Sequence, residues 1–137
     1  AVIASLELTP TNLAYQNHMI SAAARGSLVE AVAAFAPCPW LYASLGAHLQ
    51  RTFGPPSDDH PYANWLKTYS APDFLTYMEV LLNQLQVAAD AAGPRERETA
   101  KKAFAASVRY EWAFWQQAWT QERWPDEHEA SVAQDES

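Results

Sequence analysis

The chain has one cysteine, four glycines and no cluster of basic residues, and each shortage closes off a class of protein. A single thiol, Cys38, cannot build an internal disulfide framework and suits a reducing compartment. With so few glycines there is no Gly-rich phosphate loop: G-x-G-x-x-G, the P-loop and the G-x-S-x-G elbow are all absent. Nine Lys+Arg stand against sixteen Asp+Glu. Polyanion binding needs clustered cations to displace counterions, so no nucleic acid partner is expected. Charge or a Gly/Pro break is expected to interrupt every apolar stretch short of the roughly 18 residues that span a bilayer, so no membrane partner is expected either. The N-terminal AVIASLELTP has no basic n-region and too short an apolar run for a secretory signal, and a cytoplasmic protein is predicted. The four histidines (His18, His48, His60, His128) form neither an H-x-x-x-H nor an E-x-x-H pair, which leaves a helical metal site without spacing. Asp58-Asp59-His60 lies in a Pro/Gly loop and reads as solvated polar sequence.

What is there fits one globular domain. The 137 residues are 49% hydrophobic and 18% charged, enough for a core and well away from a disordered composition. Residues 126–137 hold five acids (Asp126, Glu127, Glu129, Asp135, Glu136) and no Lys or Arg. They are read as a disordered acidic tail on a domain covering 1–125, and without them the net charge of −7 falls to −2. Six Trp, six Tyr and five Phe can line a pocket as well as fill a core.

Pro and Gly divide the domain into helix-length pieces. The spacing predicts helices over about Pro10–Arg25 with Gly26 as a stop, then from the Ser27-Leu-Val-Glu30 capping box through Phe35. Pro37-Cys38-Pro39 is expected to break or kink the chain. Further helices are predicted over about Pro39–Phe53, Pro61–Tyr69, Pro72–Ala92 and Pro94–Trp124. No sustained period-two alternation and no Asn-Gly or Asp-Gly turn competes. The prediction is an all-α bundle of about six helices.

Polar groups on apolar stripes then become informative. In the last helix the stripe reads Ala100, Phe104, Val108, Trp115, Ala118 and Trp119, and at about 100° per residue Glu111 falls in its middle. Lys102, Arg109, Gln116 and Gln117 fall on the opposite face. Buried carboxyl groups are costly unless paired or used, and burial in general suits a carboxyl to move protons; a purely structural hydrogen bond to a tyrosine or backbone group is the other reading. Tyr15, His18, Met19 and Ala22 share a face of the first helix. Cys38, Tyr42, Leu45 and Leu49 stack on the third, and Tyr62, Trp65, Leu66 and Tyr69 on the short one. Each is more often core than site when taken singly. Cys38 follows a proline at a helix start, where free N–H groups and the dipole favour a thiolate; a lone cysteine is more often an inert buried hydrophobe.

Four segments carry a resemblance: PTNLAYQNHM around Tyr15, APCPWLYASLGAHL around Cys38 and Tyr42, HPYANWLKTYSAPDF around Tyr69, and RYEWAFWQQAW with ERWP around Glu111. In this order the P-C-x-x-x-Y, W-x-x-x-Y and Y-E-x-x-F-W elements resemble the TenA/THI-4 family, also called thiaminase II or aminopyrimidine aminohydrolase. The resemblance implies a haem-oxygenase-like helical bundle without haem or other cofactor or metal, assembled as a homodimer or homotetramer. It implies hydrolytic release of hydroxymethyl-pyrimidine from an aminomethyl-pyrimidine or from thiamin. On that basis Cys38 would add to the pyrimidine ring, Glu111 would move protons, and Tyr15, Tyr42 and Tyr69 would line the pocket. The match covers about Leu8 to Pro125 and corresponds to the C-terminal part of the family, so the bundle is expected to be incomplete at its N-terminus. The family's N-terminal helices carry an Asp for the pyrimidine amino group and an aromatic pocket residue.

Three readings stay open at this point. One is a pyrimidine hydrolase using Cys38 and Glu111. Another is a non-catalytic pyrimidine-binding or interaction module. The third is a different use of the same bundle, such as an oxidase or a metal protein. Helices without their usual neighbours also predict exposed apolar surface and a symmetric homo-oligomer.

Overall fold

A computed structural model describes residues 7–24 and 27–125; the predicted Arg25-Gly26 stop and the acidic tail lie outside the described residues. Among these, six helices and no strand are found: α1 (Pro10–Ala24), α2 (Leu28–Phe35), α3 (Pro37–Phe53), α4 (Ala63–Tyr69), α5 (Pro72–Ala91) and α6 (Pro94–Thr120). Prolines open α5 and α6 in their first turns, where a missing N–H costs nothing and a fixed φ helps. Ser27 accepts from Glu30 N at 3.4 Å to start α2.

The spine is α6. α1 runs antiparallel along one side of it and α2–α3 runs parallel along the other. Four levels record that register. Ala22 and Ala34 meet Ala103. One turn further on, His18 and the Ala34 carbonyl meet Ser107. Tyr15 then meets Glu111, and Thr9 donates to Gln117. Small side chains occupy this seam, and they let the helix backbones approach closely. α5 covers the lower end, where Leu85, Ala88, Ala89 and Ala92 pack against Val29, Ala33 and Ala100.

Two expectations from the sequence are corrected. Pro37-Cys38-Pro39 does not stop the helix: Ala36 is itself helical (φ −61°, ψ −36°), and Ala36 N–Val32 O (3.0 Å) and Trp40 N–Ala36 O (3.3 Å) carry the ladder across. Leu28–Phe53 is therefore a 26-residue stretch that is, by length and composition, apolar enough to cross a membrane. Ala33, Ala34, Ala36, Pro37, Ala43 and Gly46 are buried along it, while Leu28, Phe35, Trp40 and Phe53 are exposed. The second correction concerns α6. Its buried line is Ala100, Ala103, Ser107, Glu111 and Gln117, whereas Val108, Trp115, Ala118 and Trp119 are exposed, Trp119 by 86%. Close packing selects the small residues one position away from the large ones. Gln117, expected outside, is inside because it accepts from Thr9.

α6 stops at Thr120, short of Trp124, because Gln121 turns left-handed (φ 52°, ψ 49°). The chain then doubles back onto the start of α1. Glu122 accepts from Thr11 N and Thr11 Oγ1, both at 3.0 Å, and Trp124 Nε1 donates to Leu8 O at 2.8 Å. A carboxylate on the free N–H end of α1 also complements the helix dipole.

Candidate active site

The third level of the seam carries the chemistry. Glu111 is 3% exposed. Tyr15 Oη donates to its Oε1 at 2.6 Å, and the Cys38 thiol lies near enough for the carboxylate to act on its ionisation. Cys38 reaches it because α2–α3 is parallel to α6: Ala34 and Ser107 meet one turn earlier, so residues 38 and 111 meet one turn later. Tyr15 arrives from α1 in the opposite sense. The Tyr15 ring stacks on Tyr110 (centroids 5.2 Å, 11°), and Tyr110 rests in turn against His18 (5.4 Å).

Ionisation in this cluster is governed by burial and by Glu111. The Cys38 thiol is pushed up to about 12 by burial first, then by the charge of Glu111 and by their hydrogen bond. This corrects the expected thiolate. With α2 running on into α3, Cys38 has no true helix start beneath it, and a carboxylate is its nearest charge. Tyr15 is raised by burial, then by its hydrogen bond to Glu111. Tyr42 is pushed up to about 12 by burial and by the charges of Glu111 and Cys38, against a hydrogen bond from Trp115 that works the other way. At neutral pH both tyrosines and the thiol therefore keep their protons, and Tyr15 donates its proton to Glu111.

Tyr69 joins this group through rings. It lies against Tyr42 (4.8 Å), Trp65 (4.8 Å) and Phe74 (5.0 Å, 84°). Gly46 permits that approach, since a Cβ there would stand 2.9 Å from Tyr69 O. Tyr62, expected on the inner face of α4, is exposed and precedes the helix. Asp58 and Asp59 are solvent-exposed, and Asp58 pairs with Lys67 at 2.7 Å.

Behind Tyr42 opens an apolar groove of about 740 Å³, lined by Leu45, Leu49, Phe53, Trp65, Leu66 and Trp115 among others. Cys38 and Glu111 are not part of its wall; Trp65 and Trp115 separate it from them while touching Tyr42. The sequence therefore brings Tyr15, Cys38, Tyr42 and Glu111 into one cluster and Tyr69 to its edge. It did not single out Gly46, Ser107, Tyr110, Trp65 or Trp115 as site residues. Only Ser107 left a signal, as a polar residue one turn before Glu111 on the same face.

The chain has relatives among known proteins. Residues 2–121 match the TENA/THI-4/PQQC family model. The chain is similar to an aminopyrimidine aminohydrolase of Halalkalibacterium halodurans, 32% identical over 121 residues, covering 88% of this chain and 53% of that protein. Its similarity to the aminopyrimidine aminohydrolase of Bacillus subtilis is also 32%, over 119 residues, 86% of this chain and 49% of the relative. A third match, 32% over 116 residues, covers 85% of this chain and 15% of the thiamine biosynthesis multifunctional protein ThiED of Corynebacterium efficiens. The chain thus spans about half the length of the curated aminopyrimidine aminohydrolases it matches. With most of its length matched and an all-helical, haem-oxygenase-like architecture, the chain belongs to the TENA/THI-4/PQQC family.

Proposed function

We propose that this chain carries the reacting groups of a thiaminase II-like hydrolase, which releases hydroxymethyl-pyrimidine from an aminomethyl-pyrimidine or from thiamin. The observation that carries this reading is a buried carboxylate, Glu111, that accepts from Tyr15 and lies beside the Cys38 thiol. A neutral thiol is a poor nucleophile until its proton leaves. Glu111 takes that proton as Cys38 sulfur bonds to a ring carbon. The electron pair displaced from the ring then expels the group on the methylene carbon: the amino group of an aminomethyl-pyrimidine departs as ammonia with a proton from Glu111, whereas the thiazolium of thiamin departs as neutral thiazole and that proton goes to solvent. Water adds to the methylene carbon, its proton passes to Glu111, and the sulfur leaves as the ring regains aromaticity, taking the proton back from Glu111. Net, one water is consumed, with release of ammonia in the first case and of thiazole and a proton in the second. Tyr15 holds Glu111 in place, while Tyr42 and Tyr69 offer flat surfaces against which a pyrimidine can lie.

The test is product formation by the purified protein supplied with either substrate. Cys38→Ser and Glu111→Gln are expected to abolish it. Wild-type turnover in both variants overturns the assignment. We further propose self-association as a dimer or tetramer, supported by the exposed Val108, Trp112 and Trp119 on α6. Light scattering at micromolar concentration checks this, and a monomer of 15.3 kDa refutes it.

A further inference from the structure

One polar side chain interrupts the alanine seam below the site, and nothing in the proposed reaction uses it. Ser107 is fully buried, 0% exposed. Its Oγ lies 2.7 Å from Ala34 O and 2.9 Å from His18 Nε2. A carbonyl can only accept, so the single hydroxyl proton goes to Ala34. The hydroxyl oxygen then accepts, and His18 must donate from Nε2. The order His18 Nε2–H, Ser107 Oγ–H, Ala34 O is therefore fixed by donor count alone.

The location of this chain of bonds gives it a consequence. Ser107 precedes Glu111 by four residues and Ala34 precedes Cys38 by four, a rise of about 6 Å along each helix. One turn below the contact between thiol and carboxylate, a directional bond thus joins the same two helices. The neighbouring contacts, Ala22–Ala34–Ala103 and Val29–Ala33–Ala100, are alkyl contacts with no direction, and they allow two helices to slide against each other. A hydrogen bond to a backbone carbonyl does not.

We propose that Ser107, held by His18, is a positioning residue that sets the axial register of α6 against α2–α3 and so places Glu111 on Cys38. The inference rests on the proposed reaction only for its effect on turnover. The contact itself is read through the thiol, and Cys38 is the one cysteine in the chain, so alkylation by iodoacetamide reports on it alone.

The experiment follows the alkylation rate against pH for the whole chain. Glu111→Gln removes the carboxylate and marks full release of the thiol. Ser107→Ala is expected to move the midpoint down toward that mark by about one pH unit, a rate increase of about tenfold at pH 8. Ser107→Thr, which keeps the hydroxyl, is expected to restore the wild-type curve. His18→Phe, which retains a ring against Tyr110 but withdraws the donor, is expected to move the midpoint the same way by less. With either substrate, Ser107→Ala is expected to lower kcat about tenfold and leave KM within about threefold. A Ser107→Ala midpoint equal to wild type overturns the proposal, even if the melting temperature falls. Should that variant not fold, an unmoved midpoint in His18→Phe overturns it instead. If wild-type protein turns over neither substrate, the reaction reading fails while the alkylation curves still decide the role of Ser107.

Discussion

The seam along α6 and the aromatic end of the bundle bury their residues in opposite ways. From Ala100 to Glu111 the contacts are made by alanine, serine and one carboxylate, and the buried polar groups have defined partners. Around Tyr42 the contacts are between rings tilted at 31° to 64°, and many of those rings are only half-buried. Hydrogen bonds between close-packed helices fix positions, whereas ring contacts tolerate rotation at little penalty. The first region is suited to hold reacting atoms and the second to accommodate a flat ligand.

Substitutions that separate the two regions test that division. The largest difference is expected in turnover. Glu111→Gln lowers kcat by a factor on the order of 100 to 10,000, the usual worth of a positioned acid/base, while Tyr69→Phe keeps the ring and changes kcat by less than about fivefold. Equal losses would show that the aromatic end also holds reacting groups. Next comes packing. Ala34→Leu overfills the seam and lowers stability by about 1–3 kcal/mol in thermal or urea unfolding. Leu49→Val, on the groove wall, removes one methylene from a half-exposed site and lowers stability by less than about 1 kcal/mol.

Smaller again is the effect of removing the cap on α1. Glu122→Ala takes away the acceptor for Thr11 N and Oγ1 and lowers stability by about 1 kcal/mol, with Tyr15 one turn further along α1. A further effect appears at alkaline pH. The Cys38 and Tyr42 pKa values are raised in the folded protein from 9.0 and 10.0, each to about 12. The folded state therefore binds more protons than the unfolded one across that interval. Their contribution to stability is complete below about pH 9 and is lost as pH rises towards 12. Unfolding free energy measured at pH 8 and pH 10.5 should fall for wild type and fall less for Cys38→Ala.

Much of this was legible in the sequence because proline and glycine punctuate it. The helices begin and end within a few residues of those breaks, except at Pro37–Pro39, where helicity depends on Ala36 keeping a helical backbone and on contacts made far away in sequence. Glu111 was legible because a single acid on an apolar face stands out whichever neighbours prove to be buried. The line around it was read one position off, since a hydrophobicity pattern favours Trp and Val while close helix packing favours Ala and Ser. The ionisation of Cys38 was misread because its nearest charge comes from residue 111, not from its own helix. Gly46 and Ser107 gave little away for the same reason. Each matters through a partner on another element, Tyr69 for one and Ala34 for the other.

The placing of the thiol beside Glu111 also bears on chemical durability. Peroxide attacks thiolate, and sulfenic acid forms fastest on cysteines with low pKa and open access. Cys38 is half-buried and its pKa is high, because partial burial and an adjacent carboxylate keep its proton in place. There is no second cysteine to resolve a sulfenic acid as an internal disulfide, so a nucleophile kept protonated until it meets substrate protects the protein from damage it could not repair by itself.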